Sequence, residues 1–243
     1  MSRNSHFSLA RMLFLVVLAS LMANALPASE PPDMEVNPVT GYVEAVDVAA
    51  DAGNLVRHTV DMGQGGNGTA QTVSSSEGKN PRIAIKTNGE SWVVWWQDGS
   101  TDEVFYTFRA TPGGTWTPAS RVSSPGQDSQ YPEIVHNGSS TWIAYQILAG
   151  TTKSIAVTGI TDGPEPFPTA TVLATTTFSG DVDVLVHSES GHVWVTWVHS
   201  ATLVGWSQWD STAGLWSVPA FESYAGSSIQ AARSNIRWTV LVE

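Results

Sequence analysis

The chain has 243 residues, of which 22 are acidic and 11 are basic, giving a net charge of −11 at pH 7. Nucleic acids and anionic membrane surfaces are bound through basic patches, so this charge disfavours both classes of partner. The absence of cysteine excludes disulfides, thiolate metal sites and cysteine nucleophiles. Hydrophobic residues make up 42% of the chain, which is enough to form a packed core.

Residues 1–25 have the pattern of a secretory signal. Arg3 and Arg11 supply positive charge, residues 12–22 form an apolar run, and Ala23-Asn24-Ala25 offers the small residues of a cleavage site. An uncleaved membrane anchor is the alternative, but the run is shorter than the ~20 apolar residues that span a bilayer. We therefore expect a mature chain that is secreted or periplasmic. Residues 26–40 are rich in proline and are expected to form an extended leader.

Internal repetition dominates the remaining sequence. Segments that begin at residues 80, 131 and 182 share a short β-rich run, a polar turn and a second run that opens near a tryptophan. These tryptophans are Trp92, Trp142 and Trp194, spaced by 50 and then 52 residues. Residues 228–242 begin another copy, in which Trp238 takes the same place. A fixed period of this length is typical of repeat architectures.

Each repeat unit is predicted to contain four strands. In the first complete copy they cover residues 81–87, 91–97, 103–110 and 116–122, and glycine lies in each intervening turn. The second strands are apolar on both faces, as expected for a strand with protein on either side. The pattern predicts an all-β fold, namely a β-propeller with four-stranded blades of about 50 residues. A β-sandwich, which also has short strands and frequent turns, is the alternative.

The repeat units cover about 41–80, 81–130, 131–181 and 182–228, with a partial unit at 229–243. About four blades could form a closed ring if the two chain ends share one composite blade. In that blade residues 55–76 would supply the outer strands and residues 228–242 the inner strands, which leaves 41–48 as a surplus strand. Ring closure removes exposed sheet edges. The alternative is a larger propeller of which this chain is a truncated part.

Two turns between predicted third and fourth strands resemble a known motif. Residues 109–116 read Arg-Ala-Thr-Pro-Gly-Gly-Thr-Trp, and residues 210–216 read Asp-Ser-Thr-Ala-Gly-Leu-Trp. The Asp-box motif of the sialidase-like propeller proteins is Ser-x-Asp-x-Gly-x-Thr-Trp at this place, and residues 42–243 resemble that group. Gly, Thr and Trp match in the first copy, whereas Ser and Asp are absent. For the enzymes of the group, the resemblance implies an arginine cluster that holds a carboxylate, a Tyr–Glu nucleophile pair and an aspartic acid.

Catalytic signatures are otherwise scarce. Only Arg82, which opens a first strand, loosely matches the arginine pattern that the resemblance implies. His136 and His187 share a repeat position, which would suit a metal or base pair or simply reflect the repeat. No metal-binding loop and no Gly-x-Ser-x-Gly motif occurs. We predict no catalytic residue, no metal and no cofactor.

The tryptophans divide into two sets. Those that repeat are predicted to pack between blades: Trp92, Trp116, Trp142, Trp194, Trp216 and Trp238. Trp96, Trp206 and Trp209 depart from the repeat, and an exposed indole beside polar groups suits a sugar ring.

Ligands of propellers meet the face that carries the loops from fourth to first and from second to third strands. Here these loops cover residues 123–130 and 98–103, and charged residues that open the first strands lie next to them. The candidate ligand-binding residues are Arg82, Trp96, Asp98, Tyr131, Glu133, Asp183, Trp206 and Trp209.

The sequence thus predicts an exported propeller that binds a glycan or a protein surface without catalysis. The alternatives are a sialidase-like glycoside hydrolase and a structural fragment of a larger surface protein. Two carboxylates within ~5–10 Å of each other in a pocket would favour the hydrolase. A shallow aromatic groove would favour the binding module. No nucleic acid is expected as a partner, and no membrane once the signal is cleaved.

Overall fold

The computed structural model describes residues 32–61, 70–138, 140–161, 166–177, 184–189 and 191–223. The predicted signal at 1–25, the predicted fourth copy at 228–242, Asp183 and the His187 side chain lie outside the described parts. No helix among the described residues is long and apolar enough to cross a membrane.

Four antiparallel sheets follow one another along the chain. The first and second sheets contain β1 Asp33–Val36, β2 Val43–Ala49, β3 Leu55–Asp61 and β4 Gln71–Glu77, then β5 Lys79–Ile85, β6 Ser91–Gln97, β7 Glu103–Arg109 and β8 Ser120–Arg121. The third and fourth contain β9 Ser129–Asn137, β10 Ser140–Ala149, β11 Thr152–Thr161 and β12 Thr171–Thr176, then β13 Val184–Glu189, β14 His192–Ser200, β15 Leu203–Asp210, β16 Leu215–Trp216 and β17 Ala220–Ser223. A short 3-10 turn, Ala50–Ala52, separates β2 from β3.

The first strand of each sheet lies beside the first strand of the next, so that β1 contacts β5, β5 contacts β9, and β9 contacts β13. Side chains fix these contacts. The Asp33 carboxylate accepts the backbone N–H of Ile83 at 2.9 Å, and the Ser188 hydroxyl donates to the carbonyl of His136 at 2.8 Å. Four-stranded sheets whose first strands meet side by side are the blades of a β-propeller. The predicted fold class is confirmed.

The second strands are buried on both faces, as the sequence predicts. In β6 the side chains of Val93 and Trp95 pack against the first sheet, whereas Trp92 and Val94 pack against the third. All four are fully buried. A central strand of this kind has no solvent face, which explains why its apolar residues do not alternate with polar ones.

In three of the sheets, a hydroxyl group of the third strand closes the turn between the third and fourth strands, here called the outer turn. It donates to the carbonyl of the residue ten positions later, at distances of 2.6, 2.7 and 2.8 Å: Thr107 to Thr117, Thr158 to Pro168 and Ser207 to Ser217. In the second sheet this turn takes up residues 110–119, where Gly113 has a φ of 72°. The fourth strand is therefore shorter than the predicted 116–122 and covers only Ser120–Arg121.

The composite blade predicted from the two chain ends is wrong. The strand β2 pairs with β3 from Val43↔Asp61 to Ala49↔Leu55, so it occupies the edge that was assigned to residues 228–242. The predicted surplus strand at 41–48 is thus an integral strand of the first sheet. The strand β1 completes the sheet and lies within the range 26–40 that the sequence assigned to a leader.

Three equivalent positions fill each junction between consecutive sheets. The first lies on the second strand of one sheet. The other two belong to the next sheet, one at the end of its third strand and one in the segment that follows that strand. Between the third and fourth sheets all three are indoles, with Trp142 centred 4.7 Å from Trp209 and 5.4 Å from Trp216. Between the second and third sheets they are Trp92, Ile160 and Phe167.

Between the first and second sheets, two of these three positions carry charged side chains instead. Glu44 and Arg109 occupy the positions of Trp142 and Trp209 and form an ion pair of 2.6 Å, and the guanidinium lies 5.1 Å from the ring of Trp116. Glu44 also accepts from Asn37 at 2.7 Å and from Ser91 at 2.9 Å. His58 Nε2 lies 3.0 Å from the same carboxylate. The charges are fully buried, and their hydrogen bonds offset the cost of that burial.

Candidate ligand site

An unusual backbone conformation opens two of the inner strands. Asn80 and Tyr131 have left-handed φ values of 46° and 52°, and each precedes a proline, Pro81 or Pro132. In both places the strand pairing shifts by a bulge. A left-handed conformation is rare for a residue with a side chain and is found at functional sites more often than elsewhere. These two positions therefore mark the candidate site.

Tyr131 presents an aromatic ring at the junction of the second and third sheets. Its side chain is 42% exposed, in contrast to Trp96, which is 7% exposed and lies behind it with the ring centroids 6.1 Å apart. Lys79 Nζ lies 4.8 Å from the centre of the Trp96 ring. The bulge thus holds one exposed ring against a buried ring and a cation.

Polar groups from two loops surround this aromatic pair. Lys79 forms an ion pair with Asp98, and Gln130 Nε2 donates to the Asp102 carboxylate. The backbone N–H of Ser129 donates to the carbonyl of Asp102 at 2.6 Å. The loop at 98–103 and the loop at 123–130 are therefore in direct contact beside Tyr131.

The carboxylates of this cluster lie in unlike environments. Burial raises the pKa of Asp102, and the nearby carboxylates of Asp98 and Asp128 act in the same direction. The ion pair with Lys79 lowers the pKa of Asp98. Asp98, Asp102 and Asp128 thus place three carboxyl groups beside Lys79 on this side of the site.

Arg82 and Glu133 lie next to the aromatic pair and join the inner strands β5 and β9. Arg82 Nε donates to Glu133 Oε1 at 2.8 Å, and both side chains are partly buried. Every arginine within the described residues has such a carboxylate partner: Arg57 has Asp47, Arg109 has Glu44 and Arg121 has Glu103. These four arginines pair with four different carboxylates, and no carboxylate is shared by two of them as in the arginine cluster that the sialidase resemblance implies.

The structure thus brings five of the predicted ligand residues to one junction, and these are Arg82, Trp96, Asp98, Tyr131 and Glu133. The proposed surface role of Trp96 is wrong, because the ring belongs to the core between the second and third sheets. Asp183 lies outside the described residues. Among the described residues no group of three or more His, Asp or Glu side chains is placed to hold a metal ion.

The two remaining candidates lie on β15, in the fourth sheet. Trp209 is partly buried and packs against Trp142 and Trp216 at the junction of the third and fourth sheets, away from the Tyr131 site. Trp206 is half-buried, with its ring 5.3 Å from that of Trp194. Trp194 was predicted to be core and is itself only partly buried. Neither ring of this pair belongs to the Tyr131 site.

Sequence reasoning missed Lys79, Asp102 and Gln130. The signal that could have identified Lys79 is the repeated X-Pro step at 80–81 and 131–132, because a bulge there places Lys79 opposite Trp96 in the pairing of β5 with β6. Asp102 and Gln130 lie in the two loops that the sequence selected. Only the contact between the loops identifies them individually.

No protein-family model matches the chain, and no curated protein matches it. Among solved structures, a PL25 ulvan lyase superposes with a TM-score of 0.52 at 10% identity over 77% of this chain and 56% of the lyase. The sialidase of Trypanosoma rangeli gives a TM-score of 0.52 at 13% identity over 76% of this chain and 37% of the enzyme. The fucose-specific lectin of Aleuria aurantia gives a TM-score of 0.51 at 16% identity over 76% of this chain and 58% of the lectin.

These three neighbours are β-propellers that, by name, bind or act on carbohydrate. The chain spans only about four- to six-tenths of their length. At such low identity the likeness shows the fold alone. It supports the sialidase-like propeller resemblance but adds no evidence for the Asp-box motif. The chain has the β-propeller fold shared by these carbohydrate-related proteins.

Proposed function

We propose that this chain is an exported, non-catalytic propeller module that binds a neutral glycan at Tyr131. The observation that carries the proposal is the exposed Tyr131 ring, held by a left-handed backbone beside Trp96 and flanked by hydrogen-bonding side chains. The carbohydrate-related propellers of the same fold give independent support, and the sequence pattern of residues 1–25 supports export.

A pyranose ring offers one apolar face and a rim of hydroxyl groups. Tyr131 can stack on the apolar face, because an aromatic ring combines a large apolar surface with a polar tip. Asp98 and Asp102 can accept hydroxyl hydrogens, and the Gln130 amide can both donate and accept. Since the bulge fixes the Tyr131 backbone, little conformational entropy is lost when a ligand stacks on it.

The charge of the site selects among glycans. Lys79 and Arg82 each form an ion pair with a carboxylate, and the carboxyl groups of Asp102 and Asp128 lie nearby. A sialic acid, uronic acid or sulfated sugar would meet like charges at short range, and this repulsion opposes binding. We therefore assign a neutral oligosaccharide as the ligand class.

Isothermal titration of neutral oligosaccharides tests this assignment, with sialyllactose and glucuronic acid oligomers as anionic probes. Tyr131→Ala should weaken binding of a neutral probe by about tenfold, which corresponds to about 1.4 kcal/mol. Tyr42→Ala is the matched control, because Tyr42 is also a tyrosine and is 40% exposed. Equal losses in both variants, or tighter binding of the anionic probes, would contradict the proposal.

A glycoside hydrolase is the second candidate, and Glu35 is the observation that favours it. Burial raises the pKa of Glu35 to about 7, with Asp33 and Glu44 adding to the effect. A carboxylic acid that keeps its proton near neutral pH is suited to general acid catalysis. If the protein hydrolyses aryl glycosides, and Glu35→Gln abolishes this activity whereas Arg121→Met retains it, the chain is a glycoside hydrolase and not a binding module. An absence of turnover would reject it.

A further inference from the structure

The chain passes from each completed sheet to the inner strand of the next after a short connection. Strand β4 ends at residue 77 and β5 begins at 79, β8 ends at 121 and β9 begins at 129, and β12 ends at 176 and β13 begins at 184. Strand β17 pairs with β15 in the way that β8 pairs with β7, so it completes the fourth sheet at residue 223. Counted from residue 223, connections of the same lengths reach residues 225–231, the part of the sequence in which the repeat resumes.

The fourth sheet has two faces of different kinds. Val193, Val195 and Trp197 face the third sheet and belong to the core. The opposite face, here called the outer face, carries Thr196 on β14 and Trp206 and Gln208 on β15. In the first three sheets the corresponding face is covered by the sheet that follows.

Equivalent residues show how completely a following sheet covers this face. Tyr106, which lies 100 positions before Trp206, is only 3% exposed because Phe167 of the third sheet packs on it at 5.0 Å. Trp206, in contrast, is half-buried. The outer face therefore combines the aromatic surface of a sheet junction with incomplete burial.

Thr196 gives a second, independent indication. It takes the place of Val46, Val94 and Ala144, which are core residues of the first three junctions. Its side chain is 8% exposed, and its hydroxyl oxygen is buried with no hydrogen-bond partner among the described residues. A buried hydroxyl without a partner is costly, so this position favours a covering segment that carries a polar group.

We propose that residues 228–242 dock on the outer face of the fourth sheet as the two inner strands of a fifth blade. Trp238 matches Trp92, Trp142 and Trp194 in the repeat. In that alignment Thr239 and Leu241 correspond to Val93 and Trp95, the side chains of β6 that pack on the preceding sheet. In this arrangement Thr239 brings a hydroxyl toward Thr196, and Leu241 covers the rings of Trp194 and Trp206. The surface thus belongs to the chain's own C-terminal segment and not to a separate ligand.

Cysteine pairs test the contact directly, because the chain has no cysteine of its own. Full-length protein with Gln208→Cys and Thr239→Cys should form an intrachain cross-link with a short bis-maleimide at dilute concentration. The control combines Thr239→Cys with Ser124→Cys, an exposed position at another junction, and should remain uncross-linked. The proposal would be overturned by equal cross-linking in both pairs, by no cross-link in the first pair, or by cross-linked dimers alone. Dimers would identify a second copy of the chain as the occupant of the outer face.

A charge substitution provides a second readout that does not depend on cross-linking. Leu241→Asp should lower the urea midpoint, because it places a charge against the outer face. Leu215→Asp is the control, since Leu215 is 66% exposed at the rim of the same sheet and should leave the midpoint unchanged. Equal midpoints for Leu241→Asp and the wild type would overturn the docking.

Discussion

The contact between Gly159 and Trp142 allows a direct test of how tightly the third sheet is packed. The two residues lie opposite each other on β11 and β10. A methyl group at position 159 would lie 2.6 Å from Cδ2 and Cζ3 of the indole. Non-bonded carbon atoms pack at about 3.5–4.0 Å, so Gly159→Ala requires the ring or the strand to move by about 1 Å.

The ring has little room for that movement. Trp142 is 8% exposed, and the rings of Trp209 and Trp216 lie 4.7 and 5.4 Å away in the next sheet. Overpacking a filled core costs about 1–3 kcal/mol, and the confinement of Trp142 on its far side places Gly159→Ala in the upper half of that range. Urea denaturation should show a lower midpoint with an unchanged m-value.

Two comparisons make the test specific. Gly99→Ala lies in an exposed turn where the nearest atom to the new methyl is the carbonyl oxygen of Thr101 at 3.1 Å, and we expect a change within about 0.5 kcal/mol. In a Trp142→Phe background, the smaller ring should accept the methyl and at least halve the cost of Gly159→Ala. The same cost in both backgrounds, or a cost below about 0.5 kcal/mol in the wild type, would refute the reasoning.

Three further predictions concern buried charges. Arg109→Met should cost about 3–5 kcal/mol because it leaves Glu44 buried without its ion pair, whereas Arg121→Met at the surface should cost below about 1 kcal/mol; urea midpoints that do not differ would contradict this. Burial alone would raise the pKa of Glu44, but hydrogen bonds from His58 and Asn37 and the charge of Arg109 lower it to about 2. Stability from this group is present above pH 4.5 and is lost as the pH falls toward 2, so a stability–pH profile over that range should be steeper for the wild type than for Glu44→Gln. For Glu35 the pH dependence has the opposite sign, because its raised pKa stabilises the fold below pH 4.5 and this contribution is lost as the pH rises through 7. Glu35→Gln should therefore be more stable than the wild type at pH 8 but not at pH 4, by at most about 3 kcal/mol. Equal differences in stability at both pH values would exclude the effect.

The repeat and the strand pattern could be predicted because they depend on local sequence. A second strand such as β6 is apolar at consecutive positions, and glycine turns separate it from its neighbours, so both its existence and its burial follow from one window of residues. The fourth strands were predicted less well. Their length depends on how many residues the outer turn consumes, and hydrogen bonds such as that from Thr107 to Thr117 fix this number.

The inner strands of the first sheet were misassigned for a different physical reason. Residues 43–49 contain Glu44 and Asp47, and carboxylates in a strand normally indicate a solvent face. Glu44 is buried because Arg109 and His58, which lie 65 and 14 positions away, neutralise or hydrogen-bond it. A single sequence contains no local signal of such a partner. The strand β2 carries Glu44 where other second strands carry tryptophan, and it was therefore taken for a surplus strand.

The candidate site also depends on partners that are distant in sequence, and these partners distinguish the Tyr131 junction from the similar junction at Asn80. Asn80 and Tyr131 share the left-handed backbone and the following proline, so the fold prepares two similar positions. Only Tyr131 carries a ring, and only there does the preceding sheet provide an indole, Trp96, behind it. Of the two junctions, one therefore has a stacking surface, and this part of the chain should bind one glycan and not two. Binding then depends on a single aromatic contact, which is why Tyr131→Ala is the most informative substitution in this protein.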